Sequence, residues 1–355
     1  MLKKGCLIAF GILLVVLITS YSLIQRRLTQ LSPSPTIKDS PTSIIGFNHI
    51  GLAVRDLDMM LDFYQSATNF ELISREKISG NETANILFGT AVSYEIARLK
   101  SPNMLLELTQ FDNQTDTIIE KMPPYGPGMT HTCYQTATVN SGYDKFVKAG
   151  VEMVSRGDEP IDLGGYGVTY AYAHDPEGNM MELEQMSNFI IWLKIDKDFS
   201  EKHKMWMTQV AIMTPDVKRL AAFYQEIYEM EPYRFSEYPA SEVTAKVINL
   251  DGVSMKGAWF MLDGKEKKME LFQYQGTHPT PNTIYKRGPT ELGYSFSLEV
   301  LDIQKEYQRL KTKGVAFLSE PQQLGKFWMV YANDVDGNVF SLRQAVDPDF
   351  SAPNI

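Results

Sequence analysis

His49, Glu107, His131 and Glu182 are residue types that hold divalent metal ions, and 58, 24 and 51 residues separate them in turn. Two imidazoles and two carboxylates suit Mn, Fe, Co, Ni or Zn. The carboxylates offset the charge, and an octahedron keeps open positions for a substrate. Intervals this long cannot lie on one helix, so separate strands must deliver the four side chains. Each has an ordinary reading when taken singly: a hydrogen-bonded strand histidine, or a carboxylate solvated at a strand end. Histidine is scarce, however, at 5 of 355 residues, which weighs against chance placement of two at matched positions.

The elements that would position them recur four times. "FNHIGLAVRDLDMMLDFYQ" opens the first unit, where Ile50, Leu52 and Val54 form one strand face and His49, Gly51 and Ala53 the other. Asp56 then caps a helix in which Leu57, Met60, Leu61 and Tyr64 recur at helical spacing. "MTHTCYQTATVNSGYDKFVKAGV", "MTQVAIMTPDVKRLAAFYQ" and "LGYSFSLEVLDIQKEYQRLKTKGV" open the other three. Gly150 and Gly314 serve as helix stops, and Pro215 and Asp216 as a helix start. Strand-rich segments such as "NMLLELTQF" and "MELFQYQ" follow, so the pattern is an internal duplication. One unit alone would expose a sheet face. Paired sheets around a shared interior are therefore expected, with helices over the Ile50 face and the His49 face lining a cup.

The duplication lets positions be compared within the chain. "DPEGNMMELEQ" (Asp175 to Gln185) and "DVDGNVFSLRQ" (Asp334 to Gln344) share the frame D-x-x-G-N-x-x-x-L-x-Q, with Glu182 matched by Ser341. The "DFYQ" and "AFYQ" anchors match His49 with Gln209. "ELTQF" and "ELFQY" match Glu107 with Glu270, and the "KAGV" and "TKGV" helix ends match His131 with Ser295. The first half thus offers His, Glu, His and Glu where the second offers Gln, Glu, Ser and Ser. The expectation is one metal per chain, held wholly by the first half. The second half then acts as a scaffold, a lid or a second ligand pocket.

The 44% hydrophobic and 22% charged residues describe a folded globular chain, and the net charge of −9 argues against a nucleic-acid partner. Cys6 and Cys133 form no CxxC motif, so any metal must be held by His and carboxylate. Gly5 to Ile24 is an uncharged, mostly apolar run of bilayer-spanning length between Lys3/Lys4 and Arg26/Arg27. It reads as an uncleaved membrane anchor (residues 1–30). The basic residues place the body outside the cytoplasm, periplasmic if the source is bacterial. A cleaved signal peptide with secretion is the alternative. Residues 31–43, "LSPSPTIKDSPTS", read as a tether, followed by domains at 44–190 and 205–345.

"FNHIGLAVRDLDMMLDFY", "LLELTQF", "GMTHTCYQT" and "HDPEGNMMELEQ" together resemble the vicinal oxygen chelate, or glyoxalase-like, superfamily, over most of residues 44–345. The resemblance implies an α+β fold of four βαβββ units in two tandem paired-module domains. It also implies one divalent ion on His49, Glu107, His131 and Glu182, and a small-molecule substrate. The implied activity is that of a lyase or isomerase acting on vicinal oxygens through an enolate-like intermediate, with Glu182 or Glu107 moving the proton. Two alternatives are an Fe(II) ring-cleaving dioxygenase, with Tyr172 as the aromatic before the D-P-x-G turn, and a non-catalytic binding protein. "DLGGYGVTYAY" lacks the second histidine of the dioxygenase pattern, and Glu107 would take a position that oxygen needs. His174 reads as an exposed turn residue, Cys133 as a small buried side chain, and Arg98 as a surface arginine or a contact for an anionic substrate.

Overall fold

The computed structural model describes residues 36–37, 40–112, 121–165, 167–194, 199, 202–263, 267–276 and 288–346. The Gly5–Ile24 run lies outside them. Among the described residues no helix is long and apolar enough to cross a membrane.

Four units appear in order. The first comprises β1 (Ile44–Ala53), α1 (Leu57–Thr68), β2 (Glu71–Ile78), α2 (Glu82–Phe88), β3 (Tyr94–Lys100) and β4 (Leu105–Phe111). The second comprises β5 (Gly128–Ala137), α3 (Gly142–Ala149), β6 (Glu152–Met153), β7 (Ile161–Asp162), β8 (Val168–His174) and β9 (Met180–Met186). After α4 (Asn188–Lys194) the third contains β10 (Met205–Met213), α5 (Val217–Tyr228), β11 (Arg234–Tyr238), α6 (Glu242–Ile248), β12 (Ser254–Asp263) and β13 (Lys267–Gln275). The fourth contains β14 (Gly293–Val300), α7 (Ile303–Thr312), β15 (Ala316–Phe317), β16 (Gln322–Leu324), β17 (Phe327–Asn333) and β18 (Val339–Ala345).

The α+β class and the fourfold repeat match expectation, but the partnering of units does not. One sheet runs β15, β17, β18, β14, β1, β4, β3, β2, and the other runs β11, β12, β13, β10, β5, β9, β8, β6, with β16 and β7 added at the sides. The first unit therefore joins the fourth through antiparallel β1 and β14, and the second joins the third through β5 and β10. The expected domains at 44–190 and 205–345 are each divided between both sheets. Nothing in a strand's side-chain alternation selects which copy it pairs with, because all four opening strands carry equivalent faces.

Between the sheets lies one core. Ile50, Leu52 and Val54 of the first sheet and Val210 and Ile212 of the second belong to it, with Met60, Leu61 and Tyr64 of α1 and Leu220 and Tyr224 of α5. The cups open on the opposite faces. The expected tether also ends earlier than Ser43. Ile37 is buried in the same core, Ser40 Oγ donates to the Tyr228 carbonyl at 2.5 Å, and Ser43 Oγ donates to Glu306 at 3.0 Å. A short apolar residue with flanking hydroxyls suffices to dock a Pro/Ser-rich stretch.

The conserved frame of the duplication is structural. Asp175 accepts from the Glu177 and Asn179 N–H groups, both at 2.9 Å, and Asp334 accepts from Asp336 at 2.8 Å and Asn338 at 2.9 Å. Gly178 and Gly337 take φ of 86° and 84° in the same turns, a region open to glycine. Leu183 and Leu342 enter the shared core. Gln185 Oε1 accepts from the Tyr143 N–H of α3 at 3.2 Å, and Gln344 Oε1 from the Ile303 N–H of α7 at 2.8 Å. Gln110 and Gln273 do the same for Leu57 and Val217. Every unit thus satisfies a first-turn donor of its own helix from its last strand.

Each turn aspartate is also tied across the sheets. Tyr64 of the first unit donates to Asp175 of the second, and Tyr224 of the third to Asp334 of the fourth, both at 2.9 Å. Burial raises both carboxyls above the usual range, so each depends on its donors. Tyr64→Phe and Tyr224→Phe are each expected to lower unfolding free energy by about 1–3 kcal/mol, the worth of a hydrogen bond to a charged group. Urea melts of the two variants check this, and unchanged midpoints would count against the account.

Candidate metal centre and its sister cup

Sheet pairing decides which candidate residues meet. His49 and Glu107 share one sheet, where Gly51 pairs with both Glu107 and Ser295, and His49 pairs with Ser297. His131 and Glu182 share the other, where Ala211 pairs with both His131 and Glu270, and Cys133 pairs with Glu182. Paired strand residues project to the same face. The expected quartet of His49, Glu107, His131 and Glu182 therefore does not form, since its halves line two cups on opposite sides of the shared core.

In the second sheet His131 meets Glu182, the Glu182 charge reaches Glu270, and strand register places Gln209 on the adjoining strand. His131 is fully buried, its Nδ1 lies 2.9 Å from Thr130 Oγ1, and its Nε2 faces Glu182 Oε2 at 3.2 Å. That Nε2 has no hydrogen bond, and neither does the buried Nε2 end of the Gln209 amide. Burial raises the Glu270 carboxyl, the Glu182 charge raises it further, and Lys268 and Arg234 offset this only in part. Tyr172 pairs with Glu182 across β8 and β9, and its ring centroid lies 5.0 Å from that of His131. Its phenol is held neutral by burial and by the Glu182 charge. A buried imidazole nitrogen that faces a carboxylate without a hydrogen bond, an amide end without one and two mutually repelling carboxylates fit a divalent ion.

Three more groups adjoin this set. Ligand atoms of Cys133, Glu182 and Glu184 lie within 4.8 Å of one another. Glu184 accepts from Gln135 Nε2 at 2.8 Å and from Cys133 Sγ at 3.8 Å. Burial pushes the Cys133 thiol up, as do Glu182 and Glu184, so it stays a neutral donor. His174 is buried rather than exposed, with Nε2 2.7 Å from the Met122 carbonyl. Residues Gln209 and Glu270 are the ligand types that sequence comparison set aside. Their signal was present in the matched positions, but the wrong pairing of units hid it.

The sister cup is built differently. Arg343 Nη1 lies 3.0 Å from His49 Nδ1 and 2.6 Å from Glu107 Oε1, to which Arg98 Nε also donates at 2.9 Å. Arg98 is thus no ordinary surface residue. The two guanidinium groups and His49 hold the Glu107 carboxyl well below its usual range against the opposing effect of burial. Burial lowers His49 to about 3 against the raising charge of Glu107, and Arg343 and Arg98 lower it further. Ser295 and Ser341 replace the remaining donors with neutral hydroxyls. A divalent ion does not fit a donor set already gripped by two guanidinium groups.

Residues 46–183 match the Glyoxalase family model and residues 208–331 the Glyoxalase_4 model, both described as Glyoxalase/Bleomycin resistance protein/Dioxygenase superfamily. The chain is 25% identical over 142 residues to the ethylmalonyl-CoA/methylmalonyl-CoA epimerase of Cereibacter sphaeroides, covering 39% of this chain and 96% of that protein. It is 24% identical over 144 residues to Glyoxylase I 4 of Arabidopsis thaliana, covering 41% and 72%. A 75-residue stretch, 21% of this chain, is 36% identical to the uncharacterized protein YurT of Bacillus subtilis and spans 59% of its length. Among solved structures, glyoxalase I from Zea mays has a TM-score of 0.56 at 19% identity, covering 87% of this chain and 94% of that one. At such identity the likeness shows the fold.

The His49 cluster sets an acid sensitivity. Folded His49 takes a proton only near pH 3, whereas the unfolded residue does so near 6.5. Below about 6.5 the unfolded chain binds more protons, so this contribution is complete above 6.5 and is lost as pH falls toward 3. Denaturant melts of His49→Gln between pH 4 and pH 7 are expected to show a flatter decline than the parent. An unchanged slope would show that His49 does not carry it.

Proposed function

Because the chain belongs to the Glyoxalase/Bleomycin resistance protein/Dioxygenase superfamily, we propose that it is a metal-dependent lyase or isomerase working in the cup of the second sheet. Its substrate is a small molecule with vicinal oxygens or a carbon acid beside a carbonyl. His131, Gln209, Glu182 and Glu270 would hold the ion, in place of the set expected from sequence. A divalent ion there supplies Lewis-acid polarisation of a substrate oxygen. The observation that carries the reading is the buried His131 nitrogen that faces Glu182 without a hydrogen bond, with the Glu270 carboxyl raised by the same Glu182 charge.

Glu270, raised by burial and by its neighbour, is suited to take a proton from carbon and return it. Return to the same or a neighbouring carbon gives isomerisation, and loss of a leaving group gives elimination. Tyr172, neutral and next to Glu182, can orient that carboxylate or donate to a substrate oxygen. The epimerase and glyoxalase relatives support enzymatic use of the cup. Ring cleavage is less well supported, since a face of two histidines and one carboxylate would need His49 beside His131, and these lie on different sheets.

Metal analysis and turnover assays made anaerobically test this. One divalent ion per chain is expected, retained in His49→Ala and lost in His131→Ala. Glu270→Gln and Glu182→Gln are expected to lower kcat at least about 100-fold, the usual scale for removing a general base. Oxygen consumption with catechols, lost in His49→Ala, would overturn the reading.

We also propose that Gly5–Ile24 anchors the chain in a membrane with the catalytic body outside the cytoplasm. The full-length chain is then expected in the membrane fraction and resistant to salt extraction. Recovery as a soluble chain lacking its first 25 or so residues, a signal-peptide length, would show cleavage instead.

A further inference from the structure

The cup around His49 contains a cavity of about 740 Å³, ample for a small organic molecule. We propose that this cup is a second ligand site, independent of metal, for a planar aromatic carboxylate. The proposal does not depend on the chemistry assigned to the other cup.

The walls are aromatic. Phe88, Tyr94, Phe111, Phe327 and Tyr331 line the cavity, and the Phe88 ring lies 5.2 Å from Tyr331 and 5.4 Å from both Tyr94 and Phe111. Such surfaces accept a flat ring edge-on or offset. The floor is cationic. Arg98 lines it, giving Nε to Glu107 and Nη1 to Ser74 at 3.1 Å and Glu76 at 2.5 Å. Its Nη2 makes no hydrogen bond among the described residues. Beneath the floor Arg343 stacks on Phe327, its Cζ 3.6 Å from the ring centroid.

Donors outnumber acceptors here. Arg343 Nε and Nη2 and the Ser297 and Ser341 hydroxyls are buried without hydrogen-bond partners. Lys100 and Lys326 stand at the cavity lining with Glu76 and Glu107. At the floor Arg98 and Arg343 meet Glu76 and Glu107, and Lys100 adds a further positive charge at the lining. Behind them Glu299 accepts from Asn48, and the charges of Arg343 and then Lys267 act on its carboxyl. A ligand carboxylate supplies acceptor oxygens for guanidinium N–H groups that have none among the described residues. Arg98 reaches it directly, and Arg343 supports it from below. Since both guanidinium groups repel a cation, no metal takes part.

Equilibrium dialysis of the full-length chain against 1-naphthoate and its neutral isostere 1-naphthamide, with and without EDTA, tests the site. One saturable naphthoate site per chain is expected, unchanged by EDTA. Naphthamide should bind at least about tenfold more weakly, as loss of a charge-assisted hydrogen bond requires. Arg98→Gln should remove the preference for the acid over the amide. Thr109→Trp, at a half-buried lining position, should fill the cavity and weaken both ligands at least about tenfold. His131→Ala should change neither. Absence of saturable naphthoate binding, equal binding of acid and amide, or binding that survives Thr109→Trp unchanged would overturn the proposal. Binding lost with EDTA or in His131→Ala would do so too, because it would place the ligand in the other cup.

Discussion

The antiparallel pairing of β1 with β14, and of β5 with β10, fixes which side chains can meet. Each opening strand has its own unit's last strand on one side, so its other edge is free to take a foreign unit. Pairing the first unit with the fourth closes one sheet, and the second with the third closes the other. Once those hydrogen bonds form, Glu107 can neighbour only residues of the first and fourth units, and Glu182 only those of the second and third. The two cups, the shared core and the chemistry of each cup follow from that choice.

The repeated turn shows where selection for folding ends and chemistry begins. In D-x-x-G-N-x-x-x-L-x-Q the aspartate closes a turn and accepts from a tyrosine of the other sheet. The glycine takes a positive φ, the leucine enters the core, and the glutamine satisfies a helix donor. All these partners lie on the core side or at strand ends. The eighth and tenth positions project into a cup instead, as Glu182 and Glu184 in one copy and Ser341 and Arg343 in the other. One frame can therefore persist in both copies while the eighth position changes from a carboxylate to a hydroxyl.

Much of this was legible in the residues. Asp56 caps α1 through the Met59 N–H at 3.0 Å, Ile50, Leu52 and Val54 face the helices, and His49 faces a cup. Position matching also picked out four equivalent positions in each cup: His49, Glu107, Ser295 and Ser341 in one, and His131, Glu182, Gln209 and Glu270 in the other. Partner choice was not legible, because alternation along a strand specifies a face and a register but not which of four similar strands lies alongside. Gln209 and Glu270 were consequently read as remnants, although they share a sheet with His131 and Glu182 and the Glu182 charge reaches Glu270. Arg343 escaped notice for a related reason: it lies two residues past a matched position and in a different half from the glutamate it binds.

The two cups solve one electrostatic problem in two ways. A carboxylate buried below a strand cannot remain ionised without a compensating positive charge, since the desolvation penalty amounts to several kcal/mol even after relaxation. In the first sheet the chain supplies that charge covalently. Arg343 and Arg98 both grip Glu107, and its carboxyl is held low. In the second sheet Lys268 and Arg234 offset the charge incompletely, and the Glu270 carboxyl is held high beside Glu182. Proton uptake is one remedy for such a pair, and an external divalent ion is the other. An ion would also serve the imidazole nitrogen and amide end that make no hydrogen bond, which a proton on Glu270 leaves as they are. A guanidinium in one cup and vacant ligand atoms in the other are thus alternative answers to the same burial. Only the second keeps its ligand-type atoms clear of a guanidinium.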